Sequence, residues 1–274
     1  MIAVNPGSRM RMALALLVAT GVALLALLAW SQVAHGPTTD SPPPSAIATP
    51  AATASAATAP DPHGPEMVYI YNAPESGLDK RYEYHWEILR TALQRTTPTW
   101  GPFRLQPAVY MDERRQTFEL KSASGKLTVM YLGTSEDLER SLTPVRIPVD
   151  KNLGGYMVML IRREDQPRFA AVNSLDDLRK FRLGLGFGWL DVDILRADGF
   201  NVVTGSSYDG LFEMLVNHRF DAFTRAAVEI LDEYAERSEK IPDMAIEQSF
   251  ILYYPLPMYF WFAKTPQGQR LAAR

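Results

Sequence analysis

Between residues 182 and 230 the apolar positions change period several times, and the changes mark out alternating elements. Arg182-Leu183-Gly184-Leu185 predicts a short strand that runs into Gly186-Phe187-Gly188-Trp189. A helix of about two turns follows over Leu190 to Asp198, with Gly199 to end it. Phe200 to Thr204 predicts a second strand. Ser206 with Asp209 three residues on reads as a capping box, ahead of Tyr208, Leu211, Phe212 and Leu215 at i, i+3, i+4 and i+7. Phe220 to Phe223 predicts a third strand, followed by Arg225 and a helix from about Ala226. The order is β-α-β-α-β-α, and its links are short enough to require parallel strands with crossover helices. Such a unit is too small for a whole open-sheet domain, so it reads as one lobe of a larger protein.

The flanking chain supplies the other lobe. Met67 to Asn72 predicts a strand, and Asp79 is placed to cap a helix over 81–95, whose Tyr82, Trp86, Leu89 and Leu93 form an apolar stripe. Strands are expected over 103–109 and 126–132, with a helix over 114–122 between them. Pro144-Val145-Arg146-Ile147-Pro148 is a stiff extended segment leading to a long apolar strand over 156–161. A charged helix over 229–239 precedes the apolar return from Phe250 to Ala263. The chain therefore runs from lobe 1 to lobe 2 and back. The expected fold is α/β with two lobes, each a mostly parallel sheet flanked by helices. Lobe 1 takes 66–155 and 245–274, is short at its C-terminal end, and leaves lobe 2 to 156–244.

The first 65 residues have a different character. Arg9 and Arg11, with no acid nearby, precede 18 uncharged residues from Ala13 to Trp30. Residues 1–35 thus read as a signal peptide or a signal anchor, and the remainder as exported to the periplasm. In residues 36–65, Pro, Ala, Ser and Thr supply 24 of the 30 positions, which leaves too few large apolar side chains for a core. That segment is expected to be an extended linker.

Composition narrows the chemistry. With no cysteine the chain has neither disulfides nor thiolate metal sites. His35 and His63 lie by the linker, which leaves His85 and His218, too few for a metal or nucleophile constellation. A net charge of −3 with no basic stripe argues against nucleic acid. There is no G-x-S-x-G or H-E-x-x-H motif, so no catalysis and no cofactor are expected.

Ser174-Leu175-Asp176-Asp177-Leu178 before the strand at 182, the G-x-G turn, and Leu211 to Ala222 (LFEMLVNHRFDA) together resemble solute-binding protein family 3, the type II periplasmic binding proteins of polar amino-acid importers. The likeness spans about 67–274. It implies two lobes closing on a small polar or anionic solute, with a membrane permease or a sensor as partner. The usual zwitterion clamp is altered. Asp137 stands where the family's carboxylate-gripping arginine is expected, and Ala226 where its acid is. Arg146 and Arg225, in R-I-P and F-x-R-x-x-x-E stretches like those of a divergent branch, are the expected replacements, one from each side of the cleft. Two arginines suit a carboxylate or phosphate; the alternative is local pairing, as of Arg225 with Glu229 at i+4. Gly188 offers close backbone approach, Trp189 a flat wall, and Glu75 and Asp191 acceptors for a ligand's donors. Two roles follow: an importer's receptor, or a membrane-tethered sensory or accessory domain that binds a protein partner.

Overall fold

The computed structural model describes residues 2–4 and 66–274. The apolar N-terminal stretch and the Pro/Ala/Ser/Thr-rich segment lie outside the described residues, and with them the expected signal and linker. Among the described residues, no helix is long and apolar enough to cross a membrane.

Lobe 1 is built from two small sheets. Strands β2 (Met67–Tyr71) and β3 (Phe103–Pro107) pair in parallel, from Met67 opposite Phe103 to Tyr71 opposite Pro107. Helix α1 (Glu83–Trp100) makes the crossover and buries Trp86, Leu89 and Leu93. It runs five residues beyond the expected Arg95. Pro98 lies in its last turn, so the single bond that its missing N–H forgoes is lost near the helix end, and Gly101 then leaves with φ +82°. Helix α2 (Glu113–Lys121) follows, capped by Asp112, whose side chain accepts from Arg115 N at 2.8 Å.

The second sheet has β12 (Met258–Ala263) between β4 (Met130–Gly133) and β5 (Leu142–Val145), antiparallel to both. Alternation along β12 divides its side chains between two cores. Phe260 and Phe262 pack with Tyr69, Trp86 and Val129, while Trp261 packs with Leu120, Met130 and Leu142. The Trp261 indole N–H donates to Leu132 O at 2.9 Å, so this wholly buried ring keeps its polar atom satisfied. Helix α3 (Glu136–Ser141) lies between β4 and β5, and α9 (Pro266–Ala273) packs its Leu271 into the first core.

Lobe 2 carries the larger sheet. Its parallel centre is β8 (Asn201–Gly205), β7 (Arg182–Gly186) and β9 (Ala222–Ala226), the three strands expected from the sequence. Beyond β9 come β6 (Tyr156–Arg162) and then β10 (Met244–Ile246) and β11 (Ile251–Tyr253), all antiparallel pairings, with β1 (Ile2–Val4) beside β11. Antiparallel pairings outnumber parallel ones among the described residues, so the sheets are mixed rather than mostly parallel. The physical reason is that β6 enters from lobe 1 and pairs at once with the strands that return there. For the same reason the return to lobe 1 does not begin at 245. Two further strands join the lobe 2 sheet before Tyr254 leads out.

The sheet is flanked by helices α4 (Gln166–Ala170), α5 (Leu175–Leu178), α6 (Leu190–Ala197), α7 (Tyr208–Val216) and α8 (Ile230–Arg237). The cap of α7 is Ser207 rather than Ser206: its backbone is extended and its hydroxyl accepts from Gly210 N at 3.2 Å. Two chain segments join the lobes side by side, 146–155 outward and 254–257 back. Tyr254 N donates to Gly155 O at 3.1 Å, which ties the two together.

Candidate functional site

Between the lobes is a cavity of about 60 Å³. Lobe 1 lines it with Arg81, Tyr82 and His85 at the start of α1, Glu113 at the start of α2, and Tyr131 on β4. Lobe 2 lines it with Trp189 and Asp191 at the start of α6, then Thr224, Arg225 and Ala226 at the end of β9, and Glu229 beyond. This is the carboxyl-end edge of the parallel strands, where α/β sheets leave side chains and helix N-termini free to meet a ligand.

Arg225 is buried, and its charge is already matched. Its Nε donates to Glu233 at 2.7 Å, and its Nη2 donates to Glu233 and to Glu229, both at 2.6 Å. The guanidinium lies 4.9 Å from the ring centres of both Trp189 and Phe223. A cation this far from water requires such partners. The local pairing with Glu229 is therefore present, joined by a second acid eight residues along the chain.

Arg81 is the second buried guanidinium. It grips Asp79 through two bonds of 2.7 and 2.8 Å and lies 3.9 Å from the centre of the Tyr208 ring. Asp79 therefore does not cap α1, whose N-cap residue, Tyr82, makes no side-chain cap bond. The Arg81 side chain crosses from lobe 1 onto two aromatic rings of lobe 2, with Trp189 at 5.3 Å.

Two carboxylates of lobe 1 also reach helix N-termini of lobe 2. Glu75 accepts from Tyr208 N at 3.0 Å, at the start of α7, and from the Tyr110 hydroxyl at 2.9 Å. Glu113 accepts from Leu190 N at 3.2 Å, at the start of α6. In both places a free N–H and the positive end of a helix favour the acid.

The cavity's acids are unusually basic. Burial pushes the Glu113 carboxyl up to about 8, and the nearby Asp191 adds repulsion. Burial raises Glu229 to about 7 against the pull of Arg225, with Glu233 adding to the rise. Asp191 is raised by burial too, although it accepts a bond from the Tyr254 hydroxyl. His85 is pushed the other way by burial, down to about 4, so its ring is neutral at pH 7. It stacks on Tyr131 with centroids 3.9 Å apart, only 3% exposed, and neither of its nitrogens has a hydrogen-bond partner. Thr224 is 1% exposed and its hydroxyl is likewise unpartnered. Both line the cavity.

Of the six residues singled out in the sequence, Trp189, Asp191 and Arg225 meet in the cavity. Trp189 folds over Gly186, which has no room for a Cβ beneath the indole. Gly188 takes φ +83° in the same turn, but it faces the Arg114 side chain rather than the cavity. Glu75 bridges the lobes beside Arg81. Arg146 does not face Arg225. Its side chain is 65% exposed, is paired with Glu139 and is not among those lining the cavity. Asp137 is also outside the cavity, on α3 and paired with Lys121, whereas Ala226 lines the wall. Arg81, Glu113, His85 and Thr224 were not anticipated. The available signals were slight: a histidine inside an aromatic stripe, and a threonine beside Arg225. Among the described residues, no group of three or more His, Cys, Asp or Glu is placed to hold a metal ion.

No family model matches the chain, and no curated sequence does. Solved structures match by fold. An ancestral arginine-binding protein bound to arginine superposes with a TM-score of 0.53 at 13% identity, covering 76% of this chain and 90% of its own. A Salmonella typhimurium periplasmic binding protein of high arginine specificity gives 0.53 at 15%, covering 75% and 90%. The GluR0 ligand-binding core from Nostoc punctiforme, in complex with L-glutamate, gives 0.53 at 12%, covering 76% and 90%. The fold is that of the two-lobe periplasmic binding proteins, with sheets flanked by helices.

Proposed function

We propose that this chain is a non-catalytic binding protein, exported to the periplasm, whose lobes close over a small polar solute. The observation that carries this reading is the pair of unpartnered polar side chains, His85 from lobe 1 and Thr224 from lobe 2, buried against one interlobe cavity. Buried polar groups are ordinarily hydrogen-bonded, so two orphans facing the same space point to a partner that comes and goes. Binding of small amino acids by structures of this fold supports the same reading. The role we favour is that of a receptor for an ABC-type importer, delivered or anchored by residues 13–30.

A thermal-shift screen of the full-length chain in detergent tests it, using amino acids, amines, dicarboxylates and phosphate esters. The expected result is a ligand that stabilises the protein and loses its effect in Thr224→Val. Failure of every set at millimolar concentration, on well-folded protein, defeats solute binding. Chemical turnover of a bound compound defeats the non-catalytic part.

A second reading is favoured by the direct contacts between lobes: Glu75 with the Tyr208 amide, Arg237 with Leu78 O at 3.3 Å, and Lys80 with Glu236. A module held shut by its own side chains suits a tethered accessory domain that engages a protein partner.

A further inference from the structure

Charge in the cleft is lopsided. Glu113, Asp150, Asp191 and Glu229 line the cavity, and Asp79 and Glu233 stand behind its two guanidinium groups. Two cations thus face six carboxylates, and each cation is already bound to one or more of them. Three acids remain without a cationic partner: Glu113, Asp150 and Asp191. Their contacts are backbone N–H groups and the Tyr254 hydroxyl.

The cavity adjoins a larger groove of about 500 Å³ at the cleft mouth, and the two share Arg81, His85, Asp150, Val228 and Glu229. The groove adds Glu83 and Asp232, with Tyr84 and Leu153 exposed as an apolar wall. Lys80 there is bound to Glu236, and Lys151 stands at the exposed rim. His85, with both nitrogens orphaned, borders both spaces.

We infer that the ligand is an organic cation, a short alkyl diamine, with one ammonium group among Glu113, Asp191, Thr224 and His85 and its chain leaving along the groove past Tyr84 and Leu153. This rests on the solute-binding reading above. An ammonium group has three donors and no acceptor. The inner cavity offers acceptors to match: two carboxylates, the Thr224 hydroxyl and one nitrogen of the neutral His85. A carboxylate ligand meets net negative charge in a buried space, where like charges repel more strongly than in bulk water. Acids from both lobes repel one another on closure unless a cation sits between them, so an amine favours closure by differential binding. The second ammonium of a diamine is met at the mouth by Glu83 and Asp232, while the methylenes lie on Tyr84 and Leu153.

The test uses full-length protein in detergent with putrescine, cadaverine and butylamine, set against succinate, glutarate, L-glutamate, L-glutamine and L-arginine. Putrescine or cadaverine at about a hundred times its dissociation constant is expected to raise the melting temperature by about 5–10 °C. Asp191→Asn and Glu113→Gln are expected to weaken diamine binding at least about tenfold, and Glu83→Gln to weaken the diamines but not butylamine. Arg146→Ala serves as the control outside the cleft. One measurement needs no variant. Burial holds the Glu113 carboxyl well above the usual carboxylate range and favours its protonated form, which must give up the proton to pair with an ammonium. Calorimetry in buffers of different ionisation enthalpy should therefore show net proton release on binding. Stabilisation by the dicarboxylates or zwitterions and not by amines overturns the cation and leaves solute binding standing. Amine binding with no proton release, and unchanged in Asp191→Asn, overturns the placement. Silence in every arm overturns both this inference and the reading it rests on.

Discussion

The carboxylate of Glu113, on lobe 1, accepts a hydrogen bond at 3.2 Å from the backbone N–H of Leu190, on lobe 2. That N–H opens α6, the helix that also carries Asp191 into the cavity. This acid is therefore one of the links between the lobes and one of the charges in the space between them.

The pH dependence of stability follows from this acid. Its value rises from 4.5 to about 8 on folding, so the folded state holds the proton more tightly. The contribution is whole below 4.5 and is lost as the pH climbs toward 8. Asp191 and Glu229 repel the ionised form, and Arg81 and the Leu190 amide favour it. Glu229, raised to about 7, acts in the same direction. Urea midpoints should fall between pH 5 and pH 8, and Glu113→Gln should flatten that fall by about 1 kcal/mol or more.

Arg225 should matter for stability whatever the ligand proves to be. Replacing it with alanine leaves Glu229 and Glu233 buried without their cation, at a cost of about 3–5 kcal/mol. Replacing both Arg225 and Glu233 with apolar residues should cost less than Arg225→Ala alone. Denaturant unfolding of the two variants measures the difference, and a double variant worse than the single one would refute it.

Arg146→Ala is expected to change stability by less than about 1 kcal/mol, because its pair with Glu139 is exposed and screened. It should leave the response to any cleft ligand untouched. A lost response would return Arg146 to the site.

Glu75 can be examined at a single amide. Because its carboxylate holds the Tyr208 N–H from across the cleft, Glu75→Ala should speed hydrogen exchange there at least about tenfold. Amides in the middle of α7, which bond within the helix, should keep their protection.

Much of lobe 2 was open to reading because its signals are local. Leu183 and Leu185 alternate on a strand, Tyr208, Leu211, Phe212 and Leu215 recur at helical spacing, and Gly186 and Gly199 punctuate the turns. Each is a matter of a few neighbouring residues, and the backbone must satisfy them wherever the segment lies. The placing of Trp189, Asp191 and Arg225 at the sheet's carboxyl edge followed from that alone. Tertiary structure decided the rest. Glu75 meets Tyr208 across 133 residues of chain, and Glu113 meets Leu190 across 77. No spacing rule connects such pairs. Arg146 and Arg225 looked equivalent as cations beside ordered segments, yet one lies in solvent and the other among buried carboxylates. Which acids a buried arginine finds, and which remain to face a ligand, is settled only when two lobes, remote in sequence, close on one buried cavity.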